Sequence, residues 1–270
     1  MKAKEMAKLT LQAEVAQLSP EQIQFYQENG FIQLDGVLTE EELAELRVAM
    51  DEVMDPSGGH NAQKGAYYRV LNQRVNTWRD HAVMAKYVLH PRLAGFARQL
   101  TGADGIRLFH DHALLKMPED SKPTPWHQDQ VYWPMQKTKT LSIWIALDDV
   151  SEHNGCMMFV PKSHTAGKLP PIDLVEPQDI YQYVQGTEHA ARKPVIARMK
   201  AGSCTFHNGL TFHYAHPNHS DRPRRALATI YMADGTIYNG KPHVVTDGPE
   251  AKLTAGEPFG GGLFPLLDTK

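Results

Sequence analysis

From Ile106 onward the spacing of apolar residues changes from that of helices to that of strands, and this switch constrains the fold more than any other feature. Short apolar or alternating runs, bounded by Gly, Pro and Asn, occur at 106–117, 140–147, 156–160, 195–199, 203–207 and 225–232. Successive side chains alternate across a strand, so each run has one face to bury. Many such strands after a helical beginning fit two sheets facing one another. The expected fold is therefore mainly β: a double-stranded β-helix (jelly roll, cupin-like) with N-terminal helices packed outside. No internal repeat of about 20 to 50 residues is present, which argues against a solenoid or propeller.

The helical part carries clear punctuation. Ser19 caps a helix with Pro20 at its first position and Gln22 closing a capping box, and Gly30 stops it. Thr39 and Glu42 repeat the device ahead of Leu43, Leu46, Met50 and Val53, a spacing that lays one apolar stripe on a sheet. Pro91 opens a third, shorter helix that Gly102 ends, and the stretch 56–65 reads as an exposed loop. A chain of 270 residues accommodates this as one domain. Within it, 1–104 is mostly helical, 105–235 forms the jelly-roll core and 236–270 is a C-terminal extension. The stretches 167–192 and 256–262 read as excursions of the kind that cover a site.

Composition excludes several classes. A net charge of -3 offers no basic footprint for nucleic acid, although Arg222, Arg224 and Arg225 form a local positive knot. Only Cys156 and Cys204 are present and the start lacks a signal-peptide apolar core, so a disulfide-stapled secreted scaffold is not expected. No run reaches the roughly 18 apolar residues of a membrane span. The expectation is a cytoplasmic protein that acts on a small molecule, without nucleic acid or membrane.

The chemistry starts at Trp126-His127-Gln128-Asp129. On an extended segment His127 and Asp129 point to the same side, which makes half a metal site. His213 is the favoured third ligand, with His207 and His216 close enough to compete and His110 and His112 sharing one face of an earlier strand. Two histidines and one carboxylate that leave coordination positions open form the facial triad of non-haem Fe(II) oxygenases. Arg224, eleven positions beyond His213, opens an apolar strand.

These residues, together with Gln130-Val131-Tyr132-Trp133-Pro134, Trp144 to Val150, Asn154-Gly155-Cys156-Met157, Val160 to His164, Asn218 to Arg225 and Leu263 to Leu266, resemble the phytanoyl-CoA dioxygenase-like Fe(II)/2-oxoglutarate oxygenases. The resemblance runs from about Arg69 to the end of the chain. It implies that Fe(II) is held by His127, Asp129 and His213, and that Arg224 grips 2-oxoglutarate in a pocket lined by Trp144 and Leu114. It further implies that O2 is consumed with release of succinate and CO2. An intact carboxylate at Asp129 favours hydroxylation over halogenation, and Ala215 stands where relatives often carry Ser. Tyr132, Trp133, Tyr68 and Arg69 are candidate substrate residues; Lys116, Arg69 and Arg107 either meet an anionic substrate or, as the favoured reading, are solvated charges. A cupin-like metal-dependent isomerase or hydrolase, or a non-catalytic binding protein, would use the same ligands without needing Arg224.

Overall fold

The computed structural model describes residues 17–55, 70–118, 121–136, 138–175 and 178–270. The first helix, α1 (Pro20–Asn29), shows the expected capping box: the Ser19 hydroxyl accepts from the Gln22 amide, and the Gln22 side chain accepts from the Ser19 amide. It stops at Gly30, whose φ of +82° suits glycine. After β1 (Phe31–Leu34), helix α2 (Glu40–Met54) is capped the same way by Thr39 and Glu42, and Leu43, Leu46, Met50 and Val53 are buried along one face. Then come β2 (Asn72–Val75), a short α3 (Ala82–Val88), and α4 (Pro91–Thr101), which ends at Gly102 with φ +60°. Neither β1, β2 nor α3 has a signal in the sequence pattern: each is short, and β2 carries Gln and Arg. The expected loop over 56–65 lies outside the described residues.

The chain continues through β3 (Gly105–Lys116), β4 (Thr124–His127), β5 (Met135–Gln136), β6 (Thr140–Ala146), β7 (Met157–Phe159), β8 (Val195–Ala197), β9 (Cys204–Asn208), β10 (His213–Ala215) and β11 (Arg224–Ala233); β3, β6, β7, β8, β9 and β11 fall on the alternating runs, whereas β5 and β10 do not. Two more, β12 (Ile237–Tyr238) and β13 (Leu266–Thr269), close the chain. The large sheet runs β1-β9-β6-β11-β3-β13, with β2 also paired to β3, and a second sheet runs β4-β10-β7-β8. All pairings within both sheets are antiparallel. This is the expected mainly-β jelly-roll architecture with helices packed outside.

One face of the large sheet is covered by the helices. Leu46, Met50, Met84, Leu93 and Ala97 pack there with Leu108, Ala113, Ile143, Phe206 and Leu227 from the strands. Cys204 belongs to this core. The other face looks toward the small sheet and leaves a cavity of about 420 Å³ between the two. Among the described residues no helix is long and apolar enough to cross a membrane.

Candidate active site

Strand pairing joins the two histidines. His127 ends β4, His213 begins β10, and the antiparallel register sets them directly opposite one another with ring centroids 4.0 Å apart. Each ring is oriented by its own backbone: His127 Nδ1 lies 2.7 Å from the Pro125 carbonyl and His213 Nδ1 lies 3.0 Å from the Thr211 carbonyl. A carbonyl can only accept, so both protons sit on Nδ1 and Nε2 keeps its lone pair, the arrangement of metal-ligating histidines.

Asp129 reaches the pair by a different route from the one expected. Strand β4 stops at His127, so alternation does not place Asp129; the following bend does. That bend is pinned to the β9–β10 turn by the Gln130 amide donating to the Gly209 carbonyl at 2.8 Å and by the Thr140 hydroxyl donating to Gln130 Oε1 at 2.8 Å. Only glycine permits this approach, because a Cβ at 209 would sit 2.4 Å from Thr140 Oγ1. Asp129 Oδ1 then lies 3.4 Å from Nε2 of both His127 and His213. One donor atom from each of the three side chains falls within 4.8 Å of the others.

The second carboxylate oxygen is held by two residues that the motif does not announce. Ser142 Oγ donates to Asp129 Oδ2 at 3.0 Å, and His207 Nε2 lies 3.3 Å from the same oxygen. Ser142 and His207 face one another across the β6–β9 pair, which fixes both. His207 thus contacts the aspartate yet stays outside the three-residue group. His216 packs edge-on against Tyr214 instead. Alternation with the buried Trp144 along β6 was the available signal for Ser142.

Electrostatics suit a cation here. Burial opposes ionisation of Asp129, but His213, His127 and His207 together outweigh it and hold the carboxyl well below its usual range. Burial, and then His213, lower the His127 imidazole, which leaves it neutral and able to ligate.

At the other end of the cavity, Arg224 is 3% exposed and its guanidinium lies over the Trp144 ring, 4.9 Å from the centroid. Among the described residues its Nε and Nη1 have no hydrogen-bond partner, and burial lowers its pKa to about 10, so it stays charged. Leu114 and Trp144 line the same cavity, as do Thr124, Met157 and Ala215. Its neighbours in the basic knot are occupied elsewhere: Arg225 grips Asp148 and Asp51, and Arg222 is exposed beside Asp221.

Lys116 corrects the reading of a solvated charge. Pairing with Arg224 places it fully buried beside that guanidinium, where its Nζ lies 3.5 Å from Thr124 Oγ1 and burial pushes its pKa well down. Arg107, in contrast, is tied to Asp234 at 2.5 Å and to the Phe264 carbonyl at 3.0 Å, away from the cavity.

Of the candidate substrate residues, Tyr132 and Trp133 line the cavity, but the Tyr132 hydroxyl donates to the Ile172 carbonyl at 2.7 Å and Trp133 packs into a cluster with Phe109 and Phe259. Tyr68 and Arg69 lie outside the described residues. Of the two excursions, 167–192 contributes Leu174 to the cavity wall; the other wall piece is His243 and Val244, upstream of 256–262. The buried Gln128 holds the first excursion, donating to the Gly167 and Leu210 carbonyls and accepting from the Leu169 amide.

The profile of the phytanoyl-CoA dioxygenase (PhyH) family matches residues 26–226. An ectoine dioxygenase of Bordetella parapertussis is 28% identical, over 86% of this chain and 81% of that protein. Among solved structures, the non-haem, α-ketoglutarate-dependent carbocyclase SnoK from nogalamycin biosynthesis superposes with a TM-score of 0.79 at 31% identity, covering 93% of this chain and 97% of that one. The epimerase SnoN, solved with Fe3+, α-ketoglutarate and a nogalamycin compound, gives 0.78 at 27% identity, covering 92% and 98%. The motif spacing, the paired sheets and the extent of the profile match agree, and the chain belongs to the phytanoyl-CoA dioxygenase family of Fe(II)/2-oxoglutarate-dependent oxygenases.

Proposed function

We propose that this protein is an Fe(II)- and 2-oxoglutarate-dependent dioxygenase that hydroxylates an unactivated C–H bond of a small molecule, with release of succinate and CO2. The observation that carries this is a buried, unpaired guanidinium, Arg224, in the same cavity as the His127/Asp129/His213 cluster. A buried cation without a partner is costly, and a carboxylate matches a guanidinium's planar fork. A site that used the metal alone, as an isomerase or hydrolase would, has no need for it.

In this reading His127, Asp129 and His213 would hold the ferrous ion, and the donor set fits: two neutral nitrogens, one carboxylate oxygen and no thiolate. When bound, the ion supplies O2 activation coupled to decarboxylation of the 2-oxo acid. The protein's own residues do the rest. Arg224 takes the far carboxylate of 2-oxoglutarate, and Trp144 and Leu114 flank its carbon chain. Ser142 and His207 keep Oδ2 of Asp129 engaged, so that Oδ1 faces the metal position. Gln128 and Tyr132 hold the 167–174 segment over the cavity and limit water.

Similarity to a carbocyclase and an epimerase favours a second outcome, in which hydrogen abstraction ends in ring closure or inversion. Succinate release from 2-oxoglutarate under air with Fe(II), stimulated by a compound from a small-molecule panel, tests the common chemistry. The mass of the product separates the outcomes: one oxygen gained, two hydrogens lost, or no change. Absence of succinate across the panel would favour the binding-protein alternative.

A further inference from the structure

We propose that His110, His112 and His243 form a substrate subsite that selects a neutral, largely apolar small molecule by its hydroxyl or carbonyl oxygens, an inference that rests on the oxygenase reading above. His110 is 1% exposed, lines the cavity, and among the described residues neither of its ring nitrogens has a hydrogen-bond partner. Buried polar atoms are normally paired, so an orphaned imidazole on a cavity wall points to a ligand group. His112, two residues on and on the same face of β3, has its ring 4.4 Å from that of His110 and is anchored through Nδ1 to Gln73 Oε1 at 3.0 Å. His243 arrives from the C-terminal segment, with its ring 5.8 Å from His110 and 5.4 Å from Phe109. Its Nδ1 accepts from the Val245 amide at 3.3 Å, which leaves the proton on Nε2 as a donor.

Burial holds all three imidazoles below their usual range, so each is neutral; His110 offers the cavity one donor and one acceptor, His112, whose Nδ1 donates to Gln73 Oε1, offers an acceptor, and His243 offers a donor. That pairing matches a hydroxyl, and the donor half matches a carbonyl. A carboxylate or phosphate would call for a cation, and Arg224, which lines the cavity, lies at the co-substrate end. A pure hydrocarbon would leave the imidazoles unpaired. The rest of this wall is apolar: Val75, Trp133, Ile230 and Val244. The sheet register sets the distance. His110 pairs with Ile230 and Ile230 with Ser142, which contacts Asp129, so the subsite lies two strands, about 10 Å, from the aspartate's anchor. A small fused-ring molecule spans that gap.

The test uses binding alone, with the protein loaded with Mn(II) and 2-oxoglutarate without oxygen. Dissociation constants are measured for tetralin, 2-tetralol, 2-tetralone and tetralin-2-carboxylate. The alcohol and ketone should bind about tenfold tighter than tetralin and tighter than the carboxylate. In His110→Phe the alcohol-to-tetralin ratio should fall close to one. His243→Phe, in the C-terminal segment, should reduce the ratio as well, and it gives the answer even if His110→Phe does not fold. Equal binding of all four, binding of none, preference for the carboxylate, or a ratio that survives these substitutions overturns the proposal. Mn(II) and 2-oxoglutarate titrations of the same samples report separately on the oxygenase reading: loss of that binding with the probe ratio intact would sink that reading and leave the subsite standing.

Discussion

His207 Nε2 lies 3.3 Å from Oδ2 of Asp129, while the aspartate's other oxygen faces the two opposed imidazoles. His207 therefore orients a candidate ligand without joining the set. Removing such an outer contact typically weakens metal affinity by about 10- to 100-fold. His207→Ala should fall in that range by Mn(II) or Fe(II) titration, and Ser142→Ala should add to the loss. Unchanged affinity in both variants would remove them from a positioning role.

Arg224→Ala should raise the 2-oxoglutarate KM by about 100-fold, the cost of losing a buried charge pair, while metal affinity shifts by only a few-fold. Arg224→Lys should fall in between, because an ammonium cannot reproduce the planar fork. Equal losses of metal and co-substrate binding would contradict the assignment.

A side chain at 209 should disturb the site from outside it. Gly209→Val drives a Cβ into Thr140 Oγ1, Gln130 and Trp133, and so displaces the bend that carries Asp129. The expected signature is weakened metal binding with all three ligands still present, read by titration alongside circular dichroism.

Gln128→Leu keeps the volume but deletes the hydrogen bonds to Gly167, Leu210 and Leu169. Each buried group left unpaired costs about 1–3 kcal/mol, which should free the 167–192 segment. Limited proteolysis there should run several-fold faster than in the unaltered protein; the same cutting rate would mean the clamp is dispensable.

Stability should fall on acidification. Burial pushes His90 and His112 down to about 4 from 6.5, so between those values the unfolded chain binds protons that the folded one refuses. Burial raises Asp111 to about 6 from 3.8, so below pH 6 the folded chain gains one proton and offsets part of the loss. With two histidines against one aspartate, a net decline is expected from about pH 6.5 down toward pH 4, with a lower urea midpoint at pH 5 than at pH 7. His90 caps α4 by accepting from the Arg92 amide at 3.1 Å, so His90→Asn keeps a cap that does not titrate and should flatten the slope. A midpoint that is level or rises toward pH 5 would refute the assignment.

Much of this protein is legible from local pattern. The capping boxes at Ser19 and Thr39, the glycine stops at Gly30 and Gly102 and the alternating runs of β3, β6, β9 and β11 are short-range signals, because caps and pleats are satisfied within a few residues. The motif residues were readable from their spacing within two short segments, His127 with Asp129 and His213 with Arg224.

Only the tertiary structure decided how they meet. The register of β4 against β10 opposes the two imidazoles, the Gly209 turn sets Asp129, and pairing of β3 with β11 buries Lys116 beside Arg224. The histidine wall likewise joins β3 to a segment more than a hundred residues later. Such contacts depend on strand partners far apart in the chain, and no local propensity records which strands will pair.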